Sequence, residues 1–286
     1  MVDRAHTDES GDPHEDVPRA PSSEVWDRMT PEERRRTVDA LPSEFDRQLF
    51  LPEGDPHFNT KMRVRATLDD FFARMGRPVY LACELPVYYP GERMFAPDLM
   101  AVVDVSTHER MRWVVSDERR GLDLALEIRV SGDRHKDYEA NVERYARLGI
   151  REYFVFDRTR LHLAGWRLGE GRRYHPIVPQ FGRFHSEVLG LDMRREDHRL
   201  RFYVGTASVP TSAELVGTLE GMLEGLEERL HRKEAEAEAA EAARAEAEAA
   251  RAQEAAARAQ EAAARAEAEA RLAEALAEVE RLRRRL

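Results

Sequence analysis

Two carboxylates stand where an apolar strand is not expected to carry charge. Asp98 opens the run Asp98-Leu99-Met100-Ala101-Val102-Val103, and Glu127 interrupts Leu122-Asp123-Leu124-Ala125-Leu126-Glu127-Ile128-Arg129-Val130. An acid in such a setting is expensive to bury unless something compensates its charge. Two of them on neighbouring strands can share a divalent cation. Magnesium takes a few carboxylate oxygens plus waters, which leaves room for a phosphate oxygen and an attacking water. The chemistry this suits is phosphodiester hydrolysis, with Asp98 and Glu127 as ligands and a nearby cationic side chain neutralising the developing charge. The plain structural alternative is a buried acid pair held by Arg129 without metal.

The elements that must position these acids can be read in outline. Residues 79–89 are rich in β-formers, and Pro90-Gly91 turns the chain towards Asp98. Strands are predicted over 99–105 and 122–130, a helix over 136–148 ending at Gly149, and further strands over 152–157, 161–168, 174–178 and 200–204. Strands on both sides of a crossover helix argue for a mixed α/β sheet with its ligand site at strand ends. Upstream, Thr30-Pro31-Glu32-Glu33 is a helix start with a capping box. A helix over 57–75 is predicted from a stripe of Phe58, Met62, Val64, Leu68, Phe71 and Phe72, stopped by Gly76.

The two ends of the chain differ from its middle. Residues 1–24 are rich in Asp, Glu, Pro, Ser and His and read as a disordered leader, followed by an N-terminal helix over 25–44. From about residue 211 an Ala/Glu/Arg tract begins. Leu215, Leu219, Met222, Leu226 and Leu230 recur at spacings of four and three, and the seven-residue string Ala-Arg-Ala-Gln-Glu-Ala-Ala stands twice, from Ala250 and from Ala257. Glu254/Arg258, Glu261/Arg265 and Glu267/Arg271 are favourable i,i+4 pairs, so 211–286 is predicted as one long helix. Leu272, Leu276, Val279 and Leu286 offer larger seam residues for a coiled coil, whereas alanine at seam positions buries little, so a solvated single helix stays open beside a homodimer.

Composition sets limits on function. Net charge is −10, with a pI near 5.6 and a mean hydropathy of −0.64. That balance argues against bulk electrostatic capture of nucleic acid but allows a local basic cleft, for which Arg129, Arg134, Lys136, Arg144, Arg147 and Arg151 are candidates. The single cysteine, Cys83, allows no intrachain disulfide and no cysteine-based zinc site, and a reducing cytoplasm is the expected setting. The N-terminus lacks the apolar stretch of a signal peptide, and no apolar run reaches membrane-spanning length. There is no phosphate-binding GxxxxGK loop and no Gly-x-Ser-x-Gly elbow.

The ordered set Pro97-Asp98, Leu126-Glu127-Ile128, Asp137 and Tyr145-Ala146-Arg147-Leu148-Gly149-Ile150-Arg151-Glu152-Tyr153 resembles the restriction endonucleases of the PD-(D/E)XK superfamily. It is similar in particular to a large bacterial group once known only as a domain of unknown function, over residues 45–205. The resemblance implies a restriction-endonuclease-like mixed β-sheet core flanked by helices, with the long C-terminal helix added to it. It also implies Mg2+ or Mn2+ held by Asp98 and Glu127, with DNA as substrate. Two positions depart from the pattern. The motif's lysine falls at Arg129, which cannot act as a base at neutral pH. The group's usual alternative, four residues before the tyrosine, falls at Asn141, with Lys136 about one turn earlier as a substitute. Ser131-Gly132-Asp133 replaces the usual Ser-Pro-Ser. Two functions follow as expectations: a metal-dependent DNA endonuclease using Asp98, Glu127, Arg129, Lys136 and Asn141, or a catalytically impaired DNA- or protein-binding module whose C-terminal helix drives assembly.

Glu84 is read as a partnered or edge-exposed acid, with an additional acid near the site as the alternative, and His135 as solvent-exposed, with a phosphate contact as the alternative. Asp137 is read as a first-turn acid favoured by the helix dipole, Asp157 as a turn-former, and Tyr145, Phe154 and Trp166 as core.

Overall fold

A computed structural model of the chain describes residues 17–43, 54–130 and 135–284. Two short helices come first, α1 (Ser23–Arg28) and α2 (Pro31–Ala40). Thr30 caps α2 in the reciprocal box that its spacing from Glu33 predicts, and Pro31 occupies the first turn, where its missing N–H costs nothing. Residues 17–24 fall within the stretch read as a disordered leader. They pair with the body of the fold instead: Arg19 bridges to Arg93 and Ala20 to Pro90.

The long helix α3 (Asp55–Met75) leads into the strands β1 (Val79–Ala82), β2 (Val87–Tyr88), β3 (Leu99–Val103) and β4 (Trp113–Val114). The short α4 (Val115–Glu118), β5 (Leu124–Arg129), α5 (Asn141–Leu148) and β6 (Glu152–Asp157) follow. Next come β7 (His162–Leu168), β8 (Tyr174–Pro176), β9 (Phe184–Ser186), β10 (Leu191–Glu196), β11 (Arg199–Val204) and β12 (Ala207–Ser208). The last helix is α6 (Ser212–Arg283). The fold is mixed α/β, as expected. The main sheet runs β1-β3-β5-β6-β7-β8 and is antiparallel except for the central β5–β6 pair. Its single parallel pair is joined by the crossover through α5, which such a connection requires.

Both faces of the sheet are covered, which explains why β3, β5 and β6 read as nearly continuous apolar runs. On one face Leu99, Ala101, Leu124, Leu126, Phe154 and Phe156 meet Val64, Leu68 and Phe72 of α3 and residues of the second sheet, β12-β11-β10-β9. On the other, Met100, Ala125, Tyr153 and Val155 meet Tyr145 and Ile150. The stripe of α3 is phased differently from the one predicted: Phe58 and Met62 are 50% and 40% exposed. The buried positions are Thr60, Lys61, Val64, Thr67, Leu68 and Phe72. The run 79–89 also divides, with Glu84 in the left-handed region (φ 50°) between β1 and β2.

The chain divides into two units, Met1–Leu215 and Val216–Leu286, the second wholly helical over its described residues. None of the described residues of α6 is buried. No helix among the described residues is long and apolar enough to cross a membrane.

Candidate metal centre

Antiparallel pairing of β3 with β5 sets Leu99 opposite Leu126, and so brings Asp98 to Glu127 at the strand's beginning. Here side chains continue the ladder. The Ile128 N–H donates to Asp98 Oδ2 at 2.6 Å, and the Asp98 N–H donates to Glu127 Oε2 at 3.4 Å. Each acid therefore orients the other through the backbone. Tyr145 of α5, itself buried, donates its hydroxyl to Glu127 Oε1 at 2.9 Å.

Helix α3 and the β1–β2 bend complete the cluster. His57 Nε2 lies 3.0 Å from Asp98 Oδ2. One turn on, the buried Lys61 places its Nζ 2.6 Å from Glu84 Oε1. The left-handed backbone at Glu84 is anchored by its N–H donating to the Pro97 carbonyl at 3.0 Å, one residue before Asp98. Such a conformation costs about 1–2 kcal/mol for a residue with a Cβ and is found where a side chain must be aimed. One ligand atom each from His57, Glu84 and Asp98 lies within 4.8 Å of the others. Asp98 is common to this trio and to the pair predicted from sequence; Glu127 is its hydrogen-bonded neighbour.

Burial, then the charges of Asp98 and Asp137, push the Glu127 carboxyl well above its ordinary value, against the opposing pull of Lys136 and the Tyr145 hydrogen bond. The cluster is thus short of positive charge. Two carboxylates and an imidazole, with the Glu127 carboxyl beside them, form a hard, oxygen-rich donor set of the kind that fits Mg2+, and the imidazole suits Mn2+ as well. Cys83 is not one of the residues whose ligand atoms converge here.

The positions taken as lysine substitutes go elsewhere. Arg129 Nη1 reaches Asp157 Oδ2 at 3.0 Å and its Nε reaches Asp137 Oδ2 at 3.5 Å, so both acids partner it. Asp137 also stands in the first turn of its helix, and Asp157 Oδ1 accepts from the Arg160 N–H at 2.8 Å in the turn, as expected of them. Asn141 is buried beside Tyr153, whose hydroxyl donates to the Asp137 carbonyl at 2.8 Å. Lys136 is exposed at the start of a π-helical turn (Lys136–Ala140) that leads into α5, and its charge is felt at Glu127. A wide turn of this kind is a frequent mark of functional sites. Ser131-Gly132-Asp133 lies outside the described residues. His135 is exposed and pairs with Glu139, and Phe154 is core. Trp166 stacks on Tyr153 with ring centroids 5.5 Å apart.

Sequence reading missed His57 and Lys61. The signal was present for Lys61, a lysine in register with Val64, Leu68 and Phe72 on the one face of α3 that the core covers.

No curated protein matches the chain. One similar solved structure is a "putative nuclease belonging to DUF820" from Anabaena variabilis, at 14% identity and a TM-score of 0.36, covering 46% of this chain and 74% of that one. Residues 45–195 match the model of the Uma2 family, whose description is "Putative restriction endonuclease". With more than half of its length matched and the acids of the motif set side by side on β3 and β5, the chain belongs to the Uma2 family.

Proposed function

We propose that the chain is a metal-dependent DNA endonuclease whose centre comprises Asp98, Glu127, Glu84 and His57. The convergence of His57, Glu84 and Asp98 beside the buried Glu127 carries this reading. Mg2+ or Mn2+ bound there would lower the pKa of water and draw charge from the phosphoryl oxygens. Tyr145 fixes one oxygen of Glu127, and Asp98 is fixed by the Ile128 N–H, so the ligands are preorganised. The cation that the motif would put at position 129 or 141 comes from α3 as Lys61, which places positive charge against Glu84. Arg129 serves as a support, tying the end of β5 to β6. Lys136, itself exposed, adds a second positive charge that acts on Glu127.

The long helix α6 pairs two copies into a homodimer, which suits a reaction that must cut two strands. A reducing cytoplasm suits its one cysteine.

The test is plasmid DNA incubated with the wild type and with Asp98→Ala in Mg2+, Mn2+ or EDTA. Nicking that needs metal and disappears in the variant is expected. A wild type that binds DNA but cuts under no metal would sink the nuclease reading in favour of the impaired binding module. That second reading is favoured by one observation: of the two usual lysine positions, Arg129 is engaged by Asp157 and Asn141 is a buried amide that brings no positive charge.

A further inference from the structure

The basic cleft sought between residues 129 and 151 is largely neutralised. Arg129 pairs with Asp157, Arg144 and Arg147 with Glu92, and Arg151 with Asp123. Three other arginines behave differently. Arg63, Arg158 and Arg199 have no carboxylate partner among the described residues, yet they crowd one another. Partial burial, then the charges of Arg199 and Arg158, pull the Arg63 guanidinium below its ordinary value. They wall a polar cleft of about 670 Å³ together with His198. Of the acids at its rim, Glu196 and Glu214 are engaged by Arg201, and Asp197 sits exposed at the β10–β11 turn. Unpaired like charges held together by a fold cost stability, and an anion that bridges them returns it.

The cleft draws on the same elements as the metal centre. Arg63 follows His57 by six residues on α3, about 9 Å along the helix axis. Arg158 follows Val155, the strand neighbour of Glu127, by three residues, about 10 Å further along β6 and its continuation. Those separations span one to two phosphates of a nucleic-acid strand.

We propose that Arg63, Arg158 and Arg199 form a phosphate-binding cleft that grips the backbone of a nucleic acid flanking the metal centre. The inference rests on the nuclease reading for its ligand, but it is tested by binding alone. Labelled duplex DNA is titrated with the full chain in EDTA across a salt series, by fluorescence anisotropy. The wild type is compared with Arg63→Gln/Arg158→Gln/Arg199→Gln. A control, Arg35→Gln/Arg74→Gln/Arg251→Gln, makes the same charge change at exposed arginines elsewhere.

The cleft variant is expected to bind at least about tenfold more weakly near 0.1 M salt. Its salt slope should be shallower by about one unit per arginine. The control should stay within about twofold of wild type, and relief of repulsion should keep the melting temperature of the cleft variant at or above wild type. Equal weakening of both variants overturns the proposal. So does the absence of duplex binding by the wild type. Loss of cleavage with this binding intact overturns the nuclease reading and leaves the cleft standing.

Discussion

Lys61 and Glu84 form a unit whose members are costly apart. A lysine 2% exposed in the packed stripe of α3 is tolerable because Glu84 meets it at 2.6 Å. Lys61→Gln is expected to cost about 2 kcal/mol, discounted for the partly open Glu84, and to lower kcat at least about a hundredfold. Lys61→Arg should recover part of that rate, whereas a purely structural lysine would lose rate only as the melting temperature falls. Glu127 makes a pH prediction. Its folded pKa lies above the ordinary 4.5, so between those values the native state holds a proton that the unfolded chain has released. Stability in EDTA should therefore fall as pH rises above about 4.5, and the cost persists at neutral pH. Glu127→Gln should melt higher than wild type at pH 8 and show little difference at pH 4. A melting difference independent of pH would refute this.

At the level of elements, the strands carrying the acids were legible because both sheet faces are covered and the strands are apolar throughout. The crossover helix was legible from its end, where Gly149 takes φ 81° and α5 stops. Gly149→Ala should cost about 1 kcal/mol or more, measured by denaturant midpoint. The division of 79–89 was not legible, since nothing in local propensity announces a left-handed glutamate; tertiary aim overrides it. The phase of α3 was misread because Phe58 and Met62 looked like core while Lys61 looked like surface. That error hid what α3 brings to the candidate centre, His57 beside Asp98 and Lys61 beside Glu84. Strands β9 and β10 were missed because they are short or half polar, with Phe184–Ser186 and Leu191–Glu196 showing one buried edge each. Arg129 makes an element-scale prediction as well. Arg129→Met leaves Asp157, 1% exposed, without its guanidinium and should destabilise the fold by about 3 kcal/mol.

For the whole molecule, the question is what 72 residues of exposed helix are for. Leu219, Met222, Leu226 and Leu230 near one end and Leu272, Leu276, Val279 and Leu282 near the other are all more than half exposed in the single chain. If α6 pairs two copies, light scattering on the full chain at micromolar concentration should give twice the 32.9 kDa monomer mass. A monomer at that concentration would rule out the homodimer. Exposed i,i+4 ion pairs such as Glu254–Arg258 and Glu261–Arg265 hold the intervening helix together without specifying any partner.

That middle segment has a consequence for how the tail can vary in length. Ala250 to Ala256 and Ala257 to Ala263 are letter-for-letter copies, so a helix pair cannot distinguish one copy from the next. Only the leucine-bearing ends set the alignment. Excising one whole copy shortens the helix by about 10.5 Å and leaves both ends in phase, whereas excising three or four residues throws them out of phase. The repeat is a ruler that can be cut only at its own graduations, and duplication errors in the coding sequence would move it in those same steps.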